Sequence, residues 1–339
     1  MNAAHASSRT MGNESAGEVL RAAVVWDNHA CMPLRPLDES FLPQLERFRQ
    51  AGFTAVTLNV GFGEHVAADH LRMLAQFRRW LLERPEQYRI VSKVGDITEA
   101  KKTGQLAVCF DIEGMNAIED QLSLIQLYYD LGVRWMLVAY NRANRAGGGC
   151  QDPDPGLSEF GRRAIEEMAR VGMMLCCSHT GYRTAREAID HSPNPVIFSH
   201  SNPRALWDHP RNVPDELLRA CAARGGVVGL NGIGIFLGRN DNSTEALVRH
   251  IDYTVQLLGD DHVGLSLDYC FDSAELDEFL ARNPAMFPPS MGYDCGLKMV
   301  EPERLPALIE ALMAKGYGAQ SLSKILGGNF LRVAGRIWK

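Results

Sequence analysis

Five residues that can bind a metal ion lie at the ends of short apolar segments. They are His29, Cys31, Glu113, His179 and His200. Residues two apart on a strand point to the same side, so His29 and Cys31 can reach one ion. Imidazole nitrogens, a carboxylate and a thiolate form a ligand set typical of zinc. The spacing therefore predicts a metal site of the kind that activates water for hydrolysis.

Other polar residues end apolar segments at the same relative place. They are Asp27, Asn59, Tyr140, Asn141, Asn231 and Asp268. One such residue alone is more often structural than catalytic, but here they recur at the end of almost every segment. In barrels of parallel strands, function gathers at the carboxyl ends of the strands. The pattern therefore favours one site built from all of these ends.

Eight apolar, β-branched segments alternate with segments of helical periodicity, which is typical of repeated βα units. The eight are Ala23–His29, Phe53–Val60, Leu106–Gly114, Arg134–Asn141, Met173–His179, Pro195–Ser201, Gly226–Ile233 and His262–Tyr269. Amphipathic helices are predicted between them, for example at Leu157–Val171 and Asp215–Arg224. Eight strands close a barrel, so the predicted fold is α/β, a (β/α)8 TIM barrel of the metal-dependent hydrolase type.

The chain organisation follows from composition. Residues 1–20 are rich in Ala, Ser and Asn, which predicts a flexible N-terminal tail. Residues 21–339 are predicted to form a single barrel domain, the catalytic one. Residues 270–300 are rich in Pro, Met and Gly, which predicts a long loop over the mouth of the barrel, a candidate lid.

Bulk properties exclude several function classes. The net charge is −6 with no long run of either sign, so a nucleic acid would not be attracted. No segment is apolar enough to span a bilayer, and residues 1–20 lack the apolar stretch of a secretory signal. The sequence therefore predicts a cytoplasmic protein that contacts neither membrane nor nucleic acid, with most of its eight cysteines reduced.

From about residue 20 onward, the chain resembles the membrane (renal) dipeptidase family, peptidase family M19. The segment from Asp27 to Cys31 resembles the family's D-x-H-x-D motif, and Ile112-Glu113-Gly114 resembles its glutamate motif. Further similar segments are Gly156-Leu157-Ser158, Phe160-Gly161, Ser178-His179-Thr180, Ser199-His200-Ser201-Asn202, Arg211-Asn212, Gly225-Gly226-Val227, Asp268-Tyr269 and Gly327-Gly328-Asn329-Phe330-Leu331-Arg332-Val333.

The resemblance implies an α/β barrel with a binuclear zinc centre and, as in many relatives, a homodimer. It implies that His29, Glu113, His179 and His200 are ligands, with Glu113 between the two ions. It further implies that Arg211 binds the carboxylate of the substrate and that Asp268 transfers protons. The planar guanidinium of Arg matches a carboxylate through two hydrogen bonds, which agrees with that role.

Two positions depart from the family pattern. Cys31 replaces the second acid of D-x-H-x-D, and Tyr140 replaces the histidine of the fourth strand. As a thiolate ligand Cys31 would preserve a two-zinc centre, whereas as a packing residue it would leave one zinc. Tyr140 can donate a hydrogen bond to an oxyanion or form an aromatic wall, and Asn141 can orient substrate or serve a turn.

The sequence thus predicts a zinc-dependent hydrolase of small amide substrates, a dipeptidase in which a metal-bound hydroxide attacks the carbonyl. The predicted catalytic residues are Asp268, Glu113 and Tyr140. The predicted substrate-binding residues are Arg211, Tyr140 and Asn141. A hydrolase of N-acyl amino acids or lactones is the first alternative, because the first and fourth strands depart from the family. A non-catalytic metal-binding barrel is the second.

Overall fold

A ring of parallel strands forms the centre of the structure, a computed structural model that describes residues 14–339. The strands are β1 (Trp26–Cys31), β2 (Ala55–Phe62), β3 (Tyr88–Ile90), β4 (Leu106–Glu113), β5 (Val133–Leu137), β6 (Met174–Cys176), β7 (Ile197–Phe198), β8 (Val227–Leu230), β9 (Val263–Leu265) and β10 (Tyr269–Cys270). Their order around the sheet is β10-β1-β2-β4-β5-β6-β7-β8-β9. Because β9 and β10 belong to one continuous stretch of chain, the ring closes, and the predicted (β/α)8 barrel is confirmed.

Asp27, the first residue of the Asp27–Cys31 motif, links the two ends of the barrel sheet where the ring closes. The pairing of β1 with β2 shifts register between Asp27 and Ala30. Asp27 Oδ1 accepts hydrogen bonds from the backbone N–H groups of His29, at 3.3 Å, and Leu267, at 3.0 Å. Burial raises the pKa of Asp27 to about 7. Asp27 is therefore a structural residue that joins β1 to the chain between β9 and β10 and positions the backbone of His29.

One strand was not predicted. β3 pairs with the first half of β4, at Leu106 to Val108, and β5 takes over the pairing from Phe110 onward. It has only three residues, two of them half-buried, so it lacks the apolar run that marks the other strands. The sequence analysis counted the eight members of the ring and missed this addition.

Helices surround the ring. They are α1 (Ala16–Ala22), α2 (Glu46–Ala51), α3 (Ala67–Leu82), α4 (Val94–Thr103), α5 (Leu124–Asp130), α6 (Glu159–Val171), α7 (Tyr182–His191), α8 (Asp215–Ala223), α9 (Gly234–Leu237), α10 (Thr244–Leu258), α11 (Ser273–Arg282), α12 (Leu305–Ala314), α13 (Ala319–Ser323) and α14 (Asn329–Ile337). The predicted helix at 157–171 is α6, which begins where the Ser158 hydroxyl accepts from the Gly161 N–H. The predicted helix at 215–224 is α8.

The C-terminal helix α14 closes one end of the barrel. Phe330 is fully buried among Trp26 and the apolar residues that line the inside of the ring. A Cβ atom at Gly264 would lie 2.4 Å from the Phe330 ring, and one at Gly229 would lie 3.0 Å from it. Only glycine at positions 229 and 264 leaves space for the Phe330 ring. The Gly327–Val333 segment, which contains Phe330, therefore has a packing role. The functional site must therefore lie at the opposite end.

The first residues differ in part from the predicted tail. Residues 1–13 lie outside the described part of the chain. Ala16–Ala22, however, form α1, whose N-terminus is capped by Ser15 and whose Val19 is buried. Residues 16–20 are therefore helical, because a capping box and one apolar contact suffice to fix this turn.

The sequence analysis predicted that no segment is apolar enough to span a bilayer. Within residues 14–339, no helix has both the length and the apolar character needed to cross a bilayer. The cytoplasmic location and the homodimer stay predictions.

Candidate metal centre and active site

Glu113, the last residue of β4, lies at the centre of a buried cluster. Its Oε1 lies 3.3 Å from His179 Nε2 and 3.2 Å from His200 Nε2. Its Oε2 lies 3.7 Å from His29 Nε2. Oε1 is buried and accepts no hydrogen bond. One carboxylate thus faces imidazoles on two sides, which is the arrangement needed to bridge two cations.

Cys31 and Asp268 form a second group with His29. Cys31 Sγ lies 3.3 Å and Asp268 Oδ1 lies 3.4 Å from His29 Nε2, and these two atoms are 3.8 Å apart. The three ligand atoms all lie within 4.8 Å of one another, as do those of His29, Glu113 and His200. The structure therefore brings the five sequence-predicted ligands together. It also adds Asp268, which the sequence analysis assigned only to proton transfer.

The electrostatics of the cluster fit a cation. Burial lowers the pKa of His179 and His200 well below the usual range, so both imidazoles are neutral. Burial raises the pKa of Glu113 to about 8. Burial alone would lower the pKa of His29, but the neighbouring carboxylates of Asp111 and Glu113 have the larger effect. The pKa of His29 is therefore raised well above its usual value. A divalent ion would stabilise both the ionised carboxylates and the neutral imidazoles.

The hydrogen bonds behind the imidazoles support the same interpretation. His179 Nδ1 donates to Asn141 Oδ1 at 2.7 Å, so its Nε2 presents a lone pair to the cluster. That Nε2 lies 2.9 Å from His200 Nε2 and close to the carboxylate of Glu113. Acceptor atoms that converge in a buried space repel one another unless a positive charge lies between them. The donor set and its geometry therefore fit a metal ion.

Residues outside the ligand set orient it. Asp111 Oδ2 accepts from His29 Nδ1 at 3.0 Å, and its Oδ1 accepts from Asn59 Nδ2 at 2.8 Å. Asn231 Nδ2 donates to Asp268 Oδ2 at 2.7 Å. The sequence analysis missed Asp111, although alternation along β4 puts it on the same side as Glu113. Such partners fix ring orientation and strengthen ligand basicity.

Asp111→Asn is expected to lower the affinity for the metal by roughly 10- to 100-fold. Asp111 accepts from both His29 and Asn59, and an amide has only one oxygen for the two donors. The measurement is a titration with zinc in competition with a chromophoric chelator. Asp277→Asn, on an exposed part of α11, is the control. Equal affinities in the two variants would show that Asp111 does not support the metal centre.

Three residues of the site have left-handed backbone conformations. They are Asn141, with φ of 55°, His179, with φ of 61°, and Asp268, with φ of 56°. Residues other than glycine rarely adopt such angles, and such strain clusters at functional sites. The backbone at these strand ends is therefore shaped for the site. It also places Asn141 Oδ1 behind His179, where it accepts from the imidazole, while Asn141 Nδ2 has no partner within residues 14–339 and its contact with substrate stays a prediction.

Arg211 is a buried cation beside the cluster. It is 3% exposed, and within residues 14–339 the only hydrogen bond of its guanidinium runs from Nη2 to the backbone oxygen of His200 at 3.4 Å. Its Nε and Nη1 are buried without partners. The guanidinium also lies over the ring of Phe236, 5.2 Å from its centroid. An unpaired buried charge costs several kcal/mol, so this group is suited to receive an anion.

Tyr140 forms part of the wall of the site. Its ring stacks on His179, with centroids 4.1 Å apart and planes 23° apart. Burial raises the pKa of Tyr140 well above its usual value, so the hydroxyl keeps its proton. The position agrees with the aromatic-wall interpretation and also leaves a protonated hydroxyl at the site.

The segment 270–300 covers the mouth of the barrel. It contains α11 and a 3-10 helix at Pro289–Met291, so it is more ordered than the loop predicted from composition. Phe287 lies 6.3 Å from Tyr140 and 5.3 Å from Tyr293, between ring centroids. Under this cover His29, Glu113 and His200 are at most 3% exposed. Opening of the segment as a lid stays a prediction.

The closed parallel ring, with a buried cluster of ligands at the carboxyl ends of its strands, defines a metal-dependent hydrolase on a (β/α)8 barrel. The sequence model of the membrane dipeptidase family, peptidase family M19, matches residues 18–279. The chain therefore belongs to the membrane dipeptidase family, and it is an enzyme of the metallo-dipeptidase type.

Individual relatives agree with this assignment. An uncharacterized protein in the pqqA 5′ region of Klebsiella pneumoniae is 32% identical over 280 residues, which are 79% of this chain and 96% of that protein. The uncharacterized dipeptidase C965.12 of Schizosaccharomyces pombe is 34% identical over 215 residues, 60% of this chain and 51% of that protein. The chain thus spans about half the length of the yeast relative.

One solved structure is particularly similar. The crystal structure of an amidohydrolase from Pseudomonas aeruginosa superimposes with a TM-score of 0.87 at 27% sequence identity. The match covers 96% of this chain and 99% of the amidohydrolase. The barrel and its additions are therefore shared along nearly the whole chain.

Proposed function

We propose that this protein is a zinc-dependent dipeptidase that hydrolyses the amide bond of small substrates with a free carboxylate. The observation that carries the proposal is Arg211, a buried guanidinium with two unpaired nitrogens next to the Glu113 cluster. A carboxylate is the anion that matches the planar guanidinium through two hydrogen bonds. The name of the yeast relative, an uncharacterized dipeptidase, agrees with this substrate class.

The ligands divide into two sets around Glu113. His29 and Cys31, with Glu113 Oε2, would offer three donors to one zinc ion, and Asp268 Oδ1 lies beside them as the proton acceptor. His179 and His200, with Glu113 Oε1, offer three, which is typical of a site that keeps a position open for substrate. When bound, the ions acidify a water molecule and polarise the scissile carbonyl.

The side chains perform the remaining steps. Arg211 holds the substrate carboxylate and so fixes the scissile bond over Glu113. Tyr140 donates its phenolic hydrogen to the oxygen on which negative charge develops. Asp268, held through Oδ2 by Asn231, takes the proton of the attacking water at Oδ1 and returns it to the leaving amine nitrogen. The cover of segment 270–300 keeps bulk water away from these groups.

The alternatives differ in what Arg211 would bind. An N-acyl amino acid also has a free carboxylate, so it satisfies Arg211 as a dipeptide does. A lactone has none and would leave the guanidinium unpaired, which argues against that substrate class. A non-catalytic metal-binding barrel would also use the Asn141–His179 pair, but it would have no role for the buried, unpaired nitrogens of Arg211.

The test is a panel of dipeptides, C-terminally amidated dipeptides, N-acyl amino acids and lactones, offered to zinc-loaded and chelator-treated enzyme. We expect zinc-dependent hydrolysis of the dipeptides. Arg211→Ala should lower kcat/KM for dipeptides by about 100-fold, mainly through KM, and change it little for the amides. Arg183→Ala, an exposed arginine on α7, is the control. Fastest turnover of N-acyl amino acids or lactones would replace the substrate class, and no turnover at all would favour the non-catalytic barrel.

A further inference from the structure

A cavity of about 180 Å³ adjoins the metal centre at Cys31. Its apolar walls come from Leu34, which follows β1, Phe62 at the end of β2, and Leu276 and Phe279 of α11. The rings of Phe62 and Phe279 meet edge to face, with centroids 5.5 Å apart. All four side chains are only half-buried, so each has an apolar surface left uncovered.

Two acidic residues at the rim of this cavity are already paired. Arg35 Nη2 lies 3.5 Å from Asp272 Oδ2, and Arg35 Nε lies 3.1 Å from Glu275 Oε2. Asp272 also accepts from the Glu275 backbone N–H as the N-cap of α11. Arg35 therefore offsets part of the negative charge at the rim, and the apolar walls provide most of the contact surface for a bound side chain.

The cavity and Arg211 border the two different ligand groups around Glu113. Arg211 contacts the backbone of His200, which is on the Oε1 side of the carboxylate. Cys31, which lines the cavity, contacts His29 on the Oε2 side. A substrate whose carboxylate binds Arg211 therefore extends across Glu113 toward Cys31.

We propose that this cavity binds an apolar side chain on the first residue of the dipeptide, and thereby selects substrates such as those beginning with leucine. The inference rests on the proposed function and adds the chemical class of the group on the amino side of the scissile bond. A leucine-sized chain covers the exposed faces of Phe62, Leu276 and Phe279. A charged chain would lose its hydration against these apolar walls.

The first experiment compares kcat/KM for Leu-Ala, Gly-Ala and Lys-Ala with zinc-loaded enzyme. We expect Leu-Ala to exceed Gly-Ala by about 100-fold, and Lys-Ala to be no better than Gly-Ala. Equal values for Leu-Ala and Gly-Ala would overturn the cavity assignment and leave the dipeptidase function intact. Preference for Lys-Ala would overturn the assignment of an apolar side chain to the cavity and would indicate that Asp272 and Glu275 select a cationic one. No hydrolysis of any of the three would overturn both the function and the cavity assignment.

Two variants test the cavity in opposite ways. Phe279→Ala removes one wall, and Leu276→Trp fills the space, so each is expected to reduce the Leu-Ala to Gly-Ala ratio about tenfold. Glu278→Ala, on the exposed face of the same helix, should keep the ratio of the wild type. A wild-type ratio in both Phe279→Ala and Leu276→Trp would overturn the proposal.

Discussion

Glu113→Gln is expected to lower kcat by on the order of 10⁴-fold and to remove most of the bound metal. Within residues 14–339, Glu113 is the only carboxylate that faces both ligand groups, with one oxygen toward His179 and His200 and the other toward His29. Glutamine preserves the shape but carries no charge, and one of its two polar atoms is a donor. The measurements are metal per chain by elemental analysis and kcat on the best dipeptide.

The control for this variant is Glu278→Gln, the same chemical change at an exposed position of α11. It should retain wild-type metal content and turnover. If Glu113→Gln also retained both, Glu113 would not be a ligand, and the two-ion arrangement would have to be abandoned.

In the metal-free protein, Glu113→Gln should also change how the free energy of unfolding depends on pH. Burial raises the pKa of Glu113 from its ordinary 4.5 to about 8, so between these values the folded state holds a proton that the unfolded chain has lost. The free energy of unfolding must therefore fall as pH rises through this window. In Glu113→Gln that contribution is absent, and urea unfolding at several pH values should show a weaker decline.

Much of the fold could be predicted because the strands of a closed barrel are buried on both faces. Such strands are almost continuously apolar, so the eight segments and the polar residue that ends each one stand out. The family match confirms the interpretation of these segments. β3 escaped because three residues with mixed exposure carry no comparable pattern. The helix α11 escaped because Pro, Met and Gly in segment 270–300 suggested a loop.

The roles within the site were harder to predict than its location. Strand alternation indicates which residues point into the barrel, but it does not indicate which atoms meet there. Asp111 therefore went unnoticed, although it holds His29. Asn141 was expected to contact substrate, and the sequence did not indicate that its Oδ1 also accepts from His179. Asp268 was assigned to proton transfer, and only the folded chain shows that its Oδ1 lies beside His29 and Cys31.

Cys31→Ala is expected to reduce the metal content from about two zinc ions per chain to one and to lower kcat by on the order of 10³-fold. Cys31 Sγ lies 3.3 Å from His29 Nε2 and 3.8 Å from Asp268 Oδ1, so its loss leaves a gap in the first ligand group. The second group, around His179 and His200, keeps all its donors. The measurement is elemental analysis of protein purified without added metal or chelator.

Two further variants identify the reason for any loss. Cys31→Asp supplies the carboxylate that the family motif has at this position, so it should restore the second ion, held by oxygen instead of sulfur. Cys270→Ala removes the thiol in register with Cys31 on the adjacent strand, and it should leave both ions bound. With cobalt substituted for zinc, the sulfur-to-metal charge-transfer absorption should be present in wild type and Cys270→Ala and absent from both Cys31 variants. One zinc ion per chain in wild type and in Cys31→Ala, with no such absorption, would make Cys31 a packing residue and the enzyme mononuclear.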